Sequence, residues 1–179
     1  MNKRTVRPIL YTMLVAGIVM SLFSVAYAAA RGSIDPVDKW AWSTNAGWIN
    51  FAPTCTGCDG VTVYPNHLEG YAWGENIGWI RMGAHTGGGA HTYGNTSATD
   101  YGVNREGDGT LSGYAWGTNV GWINFDPEHG GVSVDPTTGS FDGYAWAENV
   151  GWIRFKGPGY NVVVSAYRVY LPVVVRDVP

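Results

Sequence analysis

The chain has 179 residues, of which 45% are hydrophobic and only 14% charged, and its formal net charge is −3 at neutral pH. Glycine occupies 26 positions, about twice its ordinary ~7% share, so the chain turns often and packs through aromatic surface. An acidic, sparsely charged sequence with no lysine or arginine cluster is a poor candidate for binding nucleic acid or anionic lipid, and no nucleic-acid partner is expected.

Residues 1–28 join a basic start (Lys3, Arg4, Arg7) to an apolar run from Ile9 to about Val25 and the small-residue site Ala26-Tyr27-Ala28. This is the order of a secretory signal peptide, and export to the extracellular space or cell surface is expected. The run also approaches the ~20 residues that span a bilayer, so an uncleaved anchor is the alternative and the one route to a membrane. Cleavage after Ala28 removes three positive charges and no negative ones, taking the formal charge from −3 to −6.

From Lys39 a motif begins that occurs four times: "KWAWSTNAGWINF", "GYAWGENIGWIRM" from Gly70, "GYAWGTNVGWINF" from Gly113 and "GYAWAENVGWIRF" from Gly143. All nine tryptophans lie inside these copies. The tryptophan of the (W/Y)-A-W triplet falls at 42, 73, 116 and 146, spacings of 31, 43 and 30 residues. Copies two and four share "EN" and "WIR" whereas one and three end in "WINF", so the four form a duplicated pair, about 39–82 and 113–155. Repetition at this period marks a supersecondary unit that cannot bury its apolar face alone.

Within each copy two short aromatic and β-branched runs flank a turn containing Asn and Gly, the pattern of a β-hairpin. Asn45, Asn76, Asn119 and Asn149 are read as structural turn residues able, like the glycine after them, to take positive φ. Alternation puts Ala72, Ile80 and Met82 on one face and Trp79 and Arg81 on the other. Glu75 with Arg81 and Glu148 with Arg154 vary together, as do Thr44 with Asn50 and Thr118 with Asn124, so these pairs are expected to face each other across the hairpin.

Between copies one and two, "PTCTGCDG" holds Cys55 and Cys58, expected as a loop-clipping disulfide in an oxidising compartment. Haem attachment would need histidine where Asp59 stands. Residues 83–100 read as a polar, glycine-rich surface loop inserted after copy two. Short strands are expected at "DGVTV" (59–63), "DYGVN" (100–104) and "GGVSV" (130–134), each ahead of a hairpin. Copy one has only "GSIDP" before it, and the better match is "GYNVVVS", 159–165, after copy four. That strand either folds back to complete the first module or completes a neighbouring molecule's, giving self-assembly. The tail "AYRVYLPVVVRDVP" is β-prone but too short and broken for a span.

The motif "YGVN…GTLSGYAWGTNVGWINF" resembles a repeat of exported bacterial proteins of uncharacterised function, carried in tandem on surface or secreted chains. The likeness covers most of 39–155, and copy one departs from it with Lys39-Trp40 in place of Gly-Tyr. It implies no catalytic residues. "VYLPVVVR" also looks like short C-terminal endings of some bacterial exported proteins.

The expected architecture is therefore all-β: antiparallel tandem hairpins in a sandwich-like or closed sheet with pseudo-two-fold duplication. It comprises a leader (1–28), a repeat domain (29–156) and a C-terminal strand and tail (157–179). The expected role is a secreted or cell-surface structural and interaction module, self-associating or binding other surface proteins. The alternative is a carbohydrate-binding module whose sheet face presents Trp48, Trp79, Trp122 and Trp152 with Asn50, Arg81, Asn124 and Arg154 to glycans, since sugar rings offer apolar faces and hydroxyls. No nucleophile elbow, HExxH or phosphate loop is present, and His67, His85, His91 and His129 have no ligand-like spacing, so no enzyme, cofactor or metal set is expected; the one alternative is a surface metal site at His85 and His91, which share the long insertion.

Overall fold

The computed structural model describes residues 31–55 and 59–166. The leader, Cys58 and the tail beyond Ala166 lie outside the described residues. Copy one forms β1 (Gly32–Ser43) and β2 (Gly47–Asn50). The second module supplies β3 (Thr62–Val63), β4 (Leu68–Glu69), β5 (Tyr71–Gly74) and β6 (Gly78–Arg81). The third has β7 (Val103–Arg105), β8 (Leu111–Gly117) and β9 (Gly121–Asn124). The fourth has β10 (Gly131–Val134), β11 (Phe141–Ala147) and β12 (Gly151–Arg154), followed by β13 (Lys156–Gly157) and β14 (Tyr160–Ala166).

The fold is all-β and the sheet is closed. The four motif hairpins β1/β2, β5/β6, β8/β9 and β11/β12 follow one another, each joined to the next by the same antiparallel register. Asn50 lies opposite Trp73, Arg81 opposite Trp116, and Asn124 opposite Trp146. Arg154 opposite Trp42 then returns the last hairpin to the first. Closing the ring of eight removes the edges that an open sheet would expose. The paired alternation seen in the sequence concerns only the polar positions; the backbone junction repeats four times.

An eight-stranded ring has an interior just wide enough for side chains to fill, and alternation sends the Ala and Ile of every copy into it. Ala41, Ala72, Ala115 and Ala145 are fully buried, as are Ile49, Ile80, Ile123 and Ile153 to within 2%. One end is plugged by the turn residues Ala46, Ile77, Val120 and Val150, the other by Phe51, Met82, Phe125 and Phe155. The phenyl rings meet directly, Phe51 to Phe155 at 5.2 Å and Phe125 to Phe155 at 5.6 Å between centroids.

Each turn uses three loop residues. In the second copy the Ile77 amide donates to Gly74 O, and Gly78, at φ +75°, forms the bulge that lets the strands resume pairing. Only the glycine adopts positive φ, because the turn proper is right-handed. The expectation that the asparagines share this conformation is corrected: among the described non-glycine residues it belongs to Asn95 and His129.

The short strands stand where the sequence placed them, β7 against β8 and β10 against β11. The segment 159–165 folds back: β14 pairs with β1, Gly32 facing Ala166 and Lys39 facing Val162. "GSIDP" is the first half of β1 itself, held between β14 and β3. The register shifts between Ile34 and Lys39. There the Asp35 carboxylate accepts the amides of Val37 and Asp38, and its other oxygen accepts the Ser165 hydroxyl at 2.9 Å.

Two further expectations are corrected. Register places Arg81 opposite Tyr71 and Arg154 opposite Tyr144, while Glu75 and Glu148 fall in the turns. Three residue pairs separate the supposed partners, and among the described residues no ion pair joins them. The insertion 83–100 is more than a surface loop, since Tyr93 is only 3% exposed and its hydroxyl donates to Leu68 O at 3.0 Å. A Cβ on Gly83 or Gly102 would run into the Tyr93 ring, so glycine at those positions is what admits it.

Candidate functional site

The outer wall of the barrel carries the tryptophans. Because the triplet Trp and the Trp of "GWI" are register partners in every hairpin, they stand side by side: Trp42 with Trp48, Trp73 with Trp79, Trp116 with Trp122, Trp146 with Trp152. Their centroids are 4.7, 4.8, 4.6 and 4.8 Å apart in edge-to-face geometry, contacts each worth ~0.5–1.5 kcal/mol beyond burial. The aromatic two residues before the triplet Trp packs on the other side, as Tyr114 does on Trp122 at 6.2 Å. Eight indoles thus encircle the barrel, and those of Trp48, Trp79, Trp122 and Trp152 remain 40–45% exposed.

Asn50, Arg81, Asn124 and Arg154 share this outer face. They do not gather into one platform, because each sits in a different quarter of the wall. Their polar atoms are partly committed: Asn50 and Asn124 accept the amides of Ala52 and Asp126, both at 2.9 Å. Arg81 donates to Ala84 O at 2.7 Å, and the Arg154 guanidinium lies 5.7 Å from the centre of the Tyr144 ring. Two quarters gain a further ring, Tyr160 at 5.1 Å from Trp48 and Tyr101 at 5.0 Å from Trp122. Between the third and fourth hairpins a groove of about 480 Å³ opens, lined by Tyr114, Trp116, Trp122, Trp146 and Glu148.

The turn asparagines form a second constellation. Asn76 Nδ2 donates to Ala46 O at 3.2 Å, Asn119 to Ile77 O at 3.3 Å and Asn149 to Val120 O at 3.0 Å. Asn45 donates to Val150 O at 3.1 Å. Every amide reaches the carbonyl of the preceding hairpin's turn, so the four bonds make a circuit around the plugged end. Cys55 is disulfide-bonded.

A third cluster was not visible along the chain. His67, buried on the approach to β4, stacks on Tyr64 at 4.6 Å, and its Nε2 lies 2.9 Å from Glu69 Oε1. His85 Nε2 lies 3.5 Å from the same oxygen, and the His91 ring stacks on His85 at 4.1 Å. The Gly88 amide also donates to Glu69 Oε1, at 2.9 Å. One nitrogen or oxygen from each of His67, Glu69 and His85 falls within 4.8 Å of the others, a set suited to a metal ion. The only hint in the sequence is that His85 and His91 share one insertion. His129 is remote from this group and exposed beside Glu128.

No protein-family model, no curated protein and no solved structure matches this chain. Its class is therefore defined by its own geometry: a closed antiparallel barrel of four hairpins with a tryptophan-clad outer wall.

Proposed function

We propose that this chain is an exported structural and interaction module of the cell surface, working by contact through the outer wall of its barrel with copies of itself or with other surface proteins. The observation that carries the reading is the belt of large apolar residues, 36–45% exposed and repeated around the ring. Exposed apolar surface on this scale marks an interaction site, and tryptophan and tyrosine are the residues that dominate binding energy at such sites. Strand donation from residues 160–166 is the less favoured route to self-assembly, because it would require giving up the pairing that β14 makes with β1.

The test is the absolute mass of the full chain by light scattering over a range of concentrations, beside the double variant Trp122→Ser, Trp152→Ser. Mass that grows with concentration in the parent alone supports self-contact through the wall. A glycan is the second reading, favoured by the groove that sets Glu148 among four aromatic rings. It expects retention on an immobilised polysaccharide that Trp122→Ala and Trp146→Ala abolish.

A further inference from the structure

We propose that His67, Glu69 and His85 bind a divalent first-row transition cation of the zinc class, with His91 placed to complete or flank the site. The site is independent of what the tryptophan wall contacts.

The hydrogen bonds of His67 fix where its proton sits. Its Nδ1 lies 3.1 Å from Asn66 Oδ1, and that atom also accepts the His91 amide at 3.4 Å. An atom that takes a backbone N–H is the oxygen of its amide, so His67 must donate from Nδ1. The neutral ring then presents a lone pair at Nε2 to the Glu69 carboxylate 2.9 Å away. Two acceptors so close need something between them, either a proton shared by the ring and the carboxyl or a metal ion.

The surroundings are those of a metal site. A ligating histidine ordinarily donates its other N–H to a carbonyl that fixes the tautomer, the part Asn66 plays here. Glu69 is oriented by the Gly88 amide. Gly88 is held at φ +63°, and a Cβ there would meet the Tyr64 hydroxyl at 3.0 Å, so glycine lets the loop deliver that amide. Tyr64, Tyr93 and His91 wall the cluster with rings 4.6 to 5.7 Å from His67. Entry is open on two counts: the His85 side chain is 30% exposed, and Glu69 also lines a cavity of about 770 Å³ with Thr86 and Tyr71.

The donor set selects the ion. Imidazole nitrogen with a single carboxylate suits zinc and its neighbours, whereas magnesium and calcium take oxygen cages. Bonds of ~2.0–2.2 Å in a tetrahedron need ligand atoms roughly 3.3–3.5 Å apart. His85 Nε2 already stands 3.5 Å from Glu69, where the ion would take the place of the hydrogen bond that it now donates to Gly88 O at 3.1 Å, and the 2.9 Å contact of His67 need open by only a few tenths of an ångström.

The experiment titrates Co²⁺ into the chelator-stripped, disulfide-intact full chain while following visible absorption, then displaces it with Zn²⁺. One equivalent of Co²⁺ with the intense bands of four- or five-coordination, lost on adding Zn²⁺, is expected. His85→Ala and Glu69→Gln should each weaken binding at least tenfold, and His129→Ala should leave it unchanged. His85 is partly exposed, so that variant is the one expected to fold, with near-ultraviolet circular dichroism as the check. The absence of such bands would overturn the proposal and leave a proton shared by His67 and Glu69 in the ion's place. Binding that survives both cluster variants but disappears in His129→Ala would overturn it too, marking a surface ion beside Glu128.

Discussion

Asn45 donates its side-chain amide to the carbonyl of Val150 at 3.1 Å, joining turns 105 residues apart in the chain. With the three equivalent bonds it locks every hairpin to its predecessor at the plugged end of the barrel. Asn149→Ala removes one link, and the loss of such a bond costs about 0.5–1.5 kcal/mol. Asn149→Asp should cost more, because a carboxylate would then face the Val120 carbonyl. Urea midpoints compared at constant m-value are the measurement.

Gly121 isolates the demand of the turn. A Cβ there meets only Asn149 Nδ2, at 3.9 Å, while φ is +82°. Gly121→Ala is therefore expected to lose roughly 1–2 kcal/mol through backbone strain alone. Gly121→Asn should lose less, since asparagine tolerates this region better. Equal losses from the two would show that space rather than φ governs the site.

Removing residues 159–179 takes away β14, whose Val162 is fully buried, and leaves the first half of β1 paired only by β3. The truncated chain is expected to lose its cooperative thermal transition. A truncated chain that melts like the parent would make β14 an accessory.

Acid should loosen the same seam. Asp35 titrates below its ordinary 3.8, chiefly because the amides of Asp38 and Val37 and then the Ser165 hydroxyl hydrogen-bond its charged form. A carboxylate with a depressed folded pKa stabilises the fold fully above its unfolded value and loses that contribution as pH falls through the folded one. Asp108 and Asp135 are lowered in the same way by the amides of Thr110 and of Thr138 and Thr137. Melting temperature should accordingly hold down to about pH 4 and drop below it, with a shallower drop in Asp35→Asn. Identical profiles for parent and variant would rule Asp35 out as a contributor.

The hairpins, the inward Ala and Ile and the outward Trp were legible because strand alternation is a local rule that four copies state four times. The pairing of Glu75 with Arg81 was misread because sequence spacing does not reveal where the turn ends; three loop residues put Arg81 opposite Tyr71. Four-fold closure was hidden for a different reason. The contact of Arg154 with Trp42 depends on strand number and stagger, properties of the whole sheet. The cluster of His67, Glu69 and His85 draws on a strand and an insertion that meet only after folding, and no spacing along the chain announces it.

Gly32 and Ala166 are neighbours in the sheet, and the ring between them repeats one junction four times. The order in which the chain visits the hairpins is thus one of several that the same ring would accept. A short linker joining 166 to 32, with new ends opened between copies three and four in the exposed turn at Glu128 and His129, should give a permuted chain that closes the same ring. Each hairpin would keep its place in the ring while its position along the chain changed, so the architecture belongs to the circle of junctions more than to the order in which a ribosome writes them.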